Sequence, residues 1–102
     1  MAILIAMYHN PADPAAFDRY YFEKHVPIAK RLPGLRRYQV TRGPIMRLDG
    51  ASPYHLIATL SFDSVSAIQA AVASPEGKAT AADLANFAHA GTDLFIAESE
   101  VI

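Results

Sequence analysis

The strongest constraint on how this 102-residue chain can fold is the order in which its hydrophobic period switches between two and 3.6. Residues 2–8 set Ile3, Ile5 and Met7 on one face and Leu4, Ala6 and Tyr8 on the other, as in a central strand buried on both sides. His9-Asn10-Pro11 closes that strand, Asp13 followed by Pro14 starts a helix, and Pro33-Gly34 ends it. Residues 35–42 set Tyr38 and Val40 opposite Arg37, Gln39 and Thr41, polar enough for a sheet edge. Residues 54–62 then put Tyr54, Leu56, Ala58, Leu60 and Phe62 on one face and His55, Ile57, Thr59 and Ser61 on the other. A helix carrying Val65, Ile68, Ala71 and Val72 follows, restarts at Ser74-Pro75-Glu76 and stops before Gly91; residues 93–101 form the last strand.

The resulting order is βαββαβ, the split βαβ arrangement of ferredoxin-like α+β domains. It predicts one domain over residues 1–102, a four-stranded antiparallel sheet, and the first and third strands in its middle. Helices cover one face of such a sheet, yet both faces of the central strands carry apolar side chains. A second copy of the sheet is the simplest cover for the other face, so the expected assembly is a homodimer.

Within the first helix, Phe17, Tyr21, His25, Ile28 and Leu32 fall in a sector of roughly 80°. His25 therefore looks inward. Pro27 lacks the N–H that a helix interior needs, so a kink or restart is expected just after His25. A broken turn beside the imidazole favours its charged form and burial favours the neutral one, which makes His25 the best candidate for proton chemistry near neutral pH. Tyr21, one turn earlier, can hydrogen-bond His25 or a ligand oxygen. Tyr8, His9, Tyr54 and His55 should gather at one edge of the sheet, where Tyr8 and Tyr54 can border a pocket; His9 and His89 read as loop residues.

Composition narrows the chemistry. The chain has no cysteine, which removes disulfides, thiolate nucleophiles and iron–sulfur ligation. No two of the four histidines have metal-ligand spacing and no carboxylate shares the face of His25, so no metal is expected. The domain is short for a haem cavity, and no Gly-rich phosphate loop or serine elbow occurs; no cofactor is expected. Seven basic residues (Lys24, Lys30, Arg31, Arg36, Arg37, Arg42 and Arg47) stand in a stretch without an acidic one, either as a solvated rim or as a lead-in for a small anion. The net charge of −1 argues against a nucleic-acid partner. No run is long enough for a membrane span and the opening lacks a signal-peptide pattern, so the expected location is the cytoplasm.

The run Phe17-x-x-x-Tyr21-x-x-x-His25-Val-Pro-Ile-Ala, then Leu32-Pro33-Gly34-Leu35 and Arg37-Tyr38, resembles the EthD family of the dimeric α+β barrel superfamily. Phe62-Asp63-Ser64, Ser74-Pro75-Glu76-Gly77 and Asp83-x-x-x-Phe87 extend the resemblance over nearly the whole chain. It implies the barrel fold and dimerisation. Similar barrels include cofactor-free lactone isomerases, polyketide cyclases, small monooxygenases, dehydratases, haem enzymes and proteins of no assigned activity, and the namesake is associated with degradation of an ether fuel additive. In related isomerases and dehydratases a histidine at this kind of position handles protons, which maps onto His25. The expected function is thus cofactor-independent proton transfer on an apolar carbonyl, lactone or phenolic metabolite, with His25 as acid/base, Tyr21 orienting it or polarising an oxygen, and Phe17, Tyr8, Tyr54 and Ile28 as substrate-binding positions. The alternative is a non-catalytic small-molecule binding or accessory protein for an oxygenase or degradation pathway.

Overall fold

The computed structural model describes residues 1–102. Strands β1 (Ala2–His9), β2 (Arg37–Val40), β5 (Tyr54–Phe62) and β6 (Thr92–Glu98) form one antiparallel sheet in the order β2-β5-β1-β6. The ferredoxin-like topology expected from the periodicity is the one observed, with the two most apolar strands in the centre. Inside the connection between β2 and β5, β3 (Met46–Arg47) and β4 (Gly50–Ala51) make a separate small hairpin.

Helix α1 (Pro14–Tyr20) begins as expected: the Asp13 side chain accepts from the Ala16 N–H and Pro14 occupies the first turn. The helix restarts just after His25, as expected from Pro27: the chain passes through a π-helical turn (Tyr21–His25) into α2 (Val26–Ala29), with the Val26 N–H donating to Tyr21 O five residues back. A widened turn absorbs the hydrogen bond that Pro27 cannot make. It also delays rotation by most of the ~100° that one residue contributes in an α-helix, so Ala29 is buried and Ile28 is moved to a half-exposed flank.

Helices α3 (Val65–Ala73) and α4 (Pro75–Asp83) meet at a sharp corner. The Ser74 hydroxyl donates to Ala71 O and accepts from the Gly77 N–H, capping both helices at once. A Cβ on Gly77 would collide with the carbonyl oxygens of Ala71 and Val72, so glycine is what permits this close approach. A 3₁₀ turn (Leu84–Asn86) continues α4 and delivers Phe87 to the core.

All helices lie on one side of the sheet. Ala2, Ala6 and Tyr8 of β1 and Leu56, Ala58, Leu60 and Phe62 of β5 are buried against them. Ile3, Ile5, Met7 and Ile57 lie on the opposite face, where no element covers them, and Phe95 beside Ile5 is largely exposed. The expected alternation of β5 fails at one end. Tyr8 pairs with Leu56, but His9 pairs with Tyr54, skipping His55. This bulge reverses the faces, putting Tyr54 beside His9 and sending His55 toward α1. No helix is long and apolar enough to cross a membrane.

Candidate active site

His25, at the end of the π turn, is only 3 % exposed, and Asp83, at the end of α4, only 6 %. Their side chains meet, with His25 Nδ1 at 2.8 Å from Asp83 Oδ2. The other carboxylate oxygen of Asp83 accepts from Tyr20 Oη at 2.6 Å and from Asn86 Nδ2 at 3.0 Å. Burial pushes the Asp83 carboxyl up, but the hydrogen bonds from Tyr20, Asn86 and His25 outweigh it and hold the group below its ordinary range. Asp83 is therefore an anion that accepts, so His25 Nδ1 carries a proton and donates it. Burial dominates the imidazole and pushes its pKa below the ordinary value, the Asp83 contact reversing this only in part. At neutral pH His25 is neutral and its Nε2 carries a lone pair with no hydrogen-bond partner in the chain.

That ring lines a cavity of about 120 Å³ between the helices and the sheet, walled by Leu4, Ala6, Ala29, Leu32, Ala58, Leu60 and Leu84 and open where exposed Val72 and Leu94 reach its rim. A cavity of ~150 Å³ is enough to admit benzene, so this one is slightly smaller than a single aromatic ring requires. Three phenols share it. Tyr21 and Tyr38 hydroxyls lie 2.6 Å apart, and Tyr8 packs edge-on against Tyr21 with ring centroids 5.4 Å apart. Burial raises all three phenol pKa values, so they remain hydroxyls, and Tyr21 lies between Tyr38 and Tyr8 in the cluster. Phe87 packs against Tyr8, Tyr21 and His25, its centroid 4.7 Å from the imidazole.

Among the residues expected from sequence, His25, Tyr21 and Tyr8 come together at this cavity. Tyr21 does not hydrogen-bond His25: its hydroxyl goes to Tyr38, and Asp83 takes the imidazole. Phe17 is buried behind the cavity, against Tyr8 and stacked on Tyr21. Ile28 is displaced by the π turn and does not line it. Tyr54 lies elsewhere because of the β5 bulge; its hydroxyl donates to Asp93 Oδ2 at 2.8 Å, the oxygen that His9 Nε2 approaches at 3.1 Å. His9 is thus the last residue of β1 rather than a loop residue. His89 is exposed and donates to Ala85 O.

With the site in view, the similarities of the chain acquire meaning. The model of the EthD domain matches residues 9–91. The chain belongs to the EthD family. A curated relative of this EthD chain, an uncharacterised 11.0 kDa protein from the thcB–thcC intergenic region of Rhodococcus erythropolis, is 41% identical over 97 residues, covering 94% of this chain and 92% of its own. An EthD family protein from Bacillus halodurans of known crystal structure is 37% identical with a TM-score of 0.90, covering 98% of this chain and 99% of its own. SnoaB, a cofactor-independent oxygenase from Streptomyces nogalater, shares the fold at 17% identity and a TM-score of 0.69, covering 99% of this chain and 94% of its own.

Sequence reasoning overlooked Asp83, Tyr38, Tyr20 and Asn86 in this EthD site. For Asp83 a signal existed. It stands four residues before Phe87 in the Asp83-x-x-x-Phe87 spacing, so on a helix it shares the face of an aromatic residue, and a carboxylate on such a face requires a partner.

Proposed function

We propose that this EthD chain is a small-molecule enzyme that moves a proton on an apolar carbonyl, lactone or phenolic metabolite, in isomerisation, cyclisation or dehydration, without a cofactor. The observation that carries this reading is the His25–Asp83 pair, buried together where His25 lines an apolar cavity, with Nε2 left without a partner in the chain. Asp83 fixes the tautomer and stabilises the imidazolium that forms when Nε2 accepts a proton from carbon. The same nitrogen returns that proton to another atom of the substrate. The Tyr21–Tyr38 pair supplies a hydroxyl to the substrate oxygen on which negative charge develops, and the apolar walls keep water from competing. A positioned acid/base of this kind contributes about 10²–10⁴ in rate, sufficient for substrates whose C–H is already activated. SnoaB, named as a cofactor-independent oxygenase, illustrates chemistry on this fold without a bound cofactor.

The uncovered sheet face bearing Ile3, Ile5, Met7, Ile57 and Phe95 supports a homodimer as the working form.

The test is hydrogen–deuterium exchange into a panel of enolisable cyclic ketones and lactones in D₂O. The wild-type chain should accelerate exchange at the carbon next to the carbonyl, and His25→Ala should lose about a hundredfold or more of that acceleration. Saturable binding without exchange by the wild type would favour the second reading, a carrier or accessory protein. That reading draws its support from the scarcity of polar groups lining the cavity.

A further inference from the structure

A second concavity lies on the other side of the π turn. It is an open groove of about 660 Å³ between α1, the start of β5 and the connection that holds the β3–β4 hairpin, and no residue lines both it and the His25 cavity. Its size is in the ~300–1,000 Å³ range of small-molecule sites. We propose that this groove binds a small planar carboxylic acid, with Arg42 taking the carboxylate and Phe22, Pro44, Ile45 and Met46 taking the apolar body.

Arg42 comes from the basic stretch whose role the sequence left open. Two members of that stretch are neutralised locally, Arg36 by Asp63 at 2.8 Å and Arg47 by Asp49 at 3.1 Å. Arg42 has no ion pair and no side-chain hydrogen bond. Its guanidinium carbon instead sits 3.8 Å above the centroid of the Phe22 ring. This cation–π contact holds the guanidinium over the ring without using its N–H groups, leaving them free to donate to a carboxylate in two parallel bonds. Phe22 and the loop apolar residues line the same groove, so the charge and a greasy wall are adjacent.

The groove also contains an acid, and this limits the ligand. Asp18 Oδ1 is held by His55 Nε2 at 2.7 Å, with the His55 ring edge-on to Phe17. An anion is thereby directed to the Arg42 end. A phosphate dianion fits poorly, because one guanidinium is the only cationic side chain lining the groove and Asp18 opposes it. A monoanionic acid on a flat apolar body satisfies each of these surfaces.

The experiment is an NMR titration of the full chain with benzoate and with its neutral isostere benzamide. Benzoate should shift the amides of Arg42, Gly43, Ile45, Met46, Ser52 and Tyr54 to Leu56 saturably, with benzamide about tenfold weaker or more, the value of a charge-assisted pair. Arg42→Gln should weaken benzoate by a similar factor, and Asp18→Asn should tighten it by removing a like charge. His25→Ala should leave it unchanged, which separates this site from the one assigned to proton transfer. Equal affinities for the two probes, an unaltered Arg42→Gln, shifts centred on the His25 cavity, or no saturable binding of benzoate at millimolar concentration would each overturn the assignment.

Discussion

Asp83 Oδ2 stands 2.8 Å from His25 Nδ1 across 58 residues of chain, joining the end of α4 to the end of the π turn. The pair is buried, and the carboxylate is additionally held by Tyr20 and Asn86, so its geometry is fixed before any ligand arrives.

Replacing Asp83 by Asn removes the contact and charge that raise the His25 pKa while leaving the burial that lowers it. The His25 pKa, followed by NMR of its ring protons, should therefore fall further than in the wild type. A rise would mean that Asp83 does not face the imidazole as an anion. Asp83→Ala should cost about 1–3 kcal/mol in urea unfolding, since it strands the buried His25 N–H and takes the acceptor from Tyr20 and Asn86, which can turn to water.

Acid should destabilise the fold in two stages. The folded pKa of His25 lies below its ordinary 6.5, so the unfolded chain binds the extra proton first and stability falls as pH drops from about 6.5 toward the folded value. Asp83, also lowered, contributes stability above its ordinary 3.8 that is lost as pH falls through its folded pKa. Urea midpoints measured between pH 8 and pH 5 should decline, and His25→Gln should flatten that decline; an equally steep profile in the variant would assign the effect to other groups.

All five tyrosines should resist ionisation. Burial raises Tyr8, Tyr21 and Tyr38, while Tyr20 and Tyr54 are raised chiefly by their hydrogen bonds to Asp83 and Asp93. Ultraviolet titration should show little phenolate at pH 10, their ordinary midpoint, with the main rise coinciding with unfolding. A rise at pH 10 without unfolding, equivalent to three or more residues, would contradict the hydroxyl cluster.

Gly77→Ala gives opposite signs by two arguments. Helix propensity alone promises about 1 kcal/mol of stabilisation. The added Cβ, however, meets the backbone carbonyls of Ala71 and Val72, which cannot rotate away. Net destabilisation of about 1–3 kcal/mol is expected by thermal or urea unfolding; a gain would show that α3 and α4 can separate at that corner.

Ile5→Lys tests the homodimer, because Ile5 is central on the uncovered face, opposite Phe95 on one neighbour and Thr59 on the other. Sedimentation should show a dimer for the wild type and a monomer for the variant. A wild-type monomer at micromolar concentration would remove the proposed assembly.

The sequence by itself determined the element order, the central position of β1 and β5, the helix starts at Asp13 and Ser74, and the inward direction of His25. These are local: they follow from period, capping chemistry and proline stereochemistry within a few residues. What it did not determine is where local rules compete with packing. Pro27 marked a kink or restart after His25 but not its form, and the widened turn that makes the restart places Ala29 inside and leaves Ile28 at the flank. Strict alternation in β5 placed Tyr54 on the helix face until pairing with β1 introduced a bulge. The Asp83 partner of His25 was decided by tertiary structure alone. Hydrogen bonding between residues 58 positions apart depends on how α4 docks beside the π turn, and no periodicity within either segment encodes that distance.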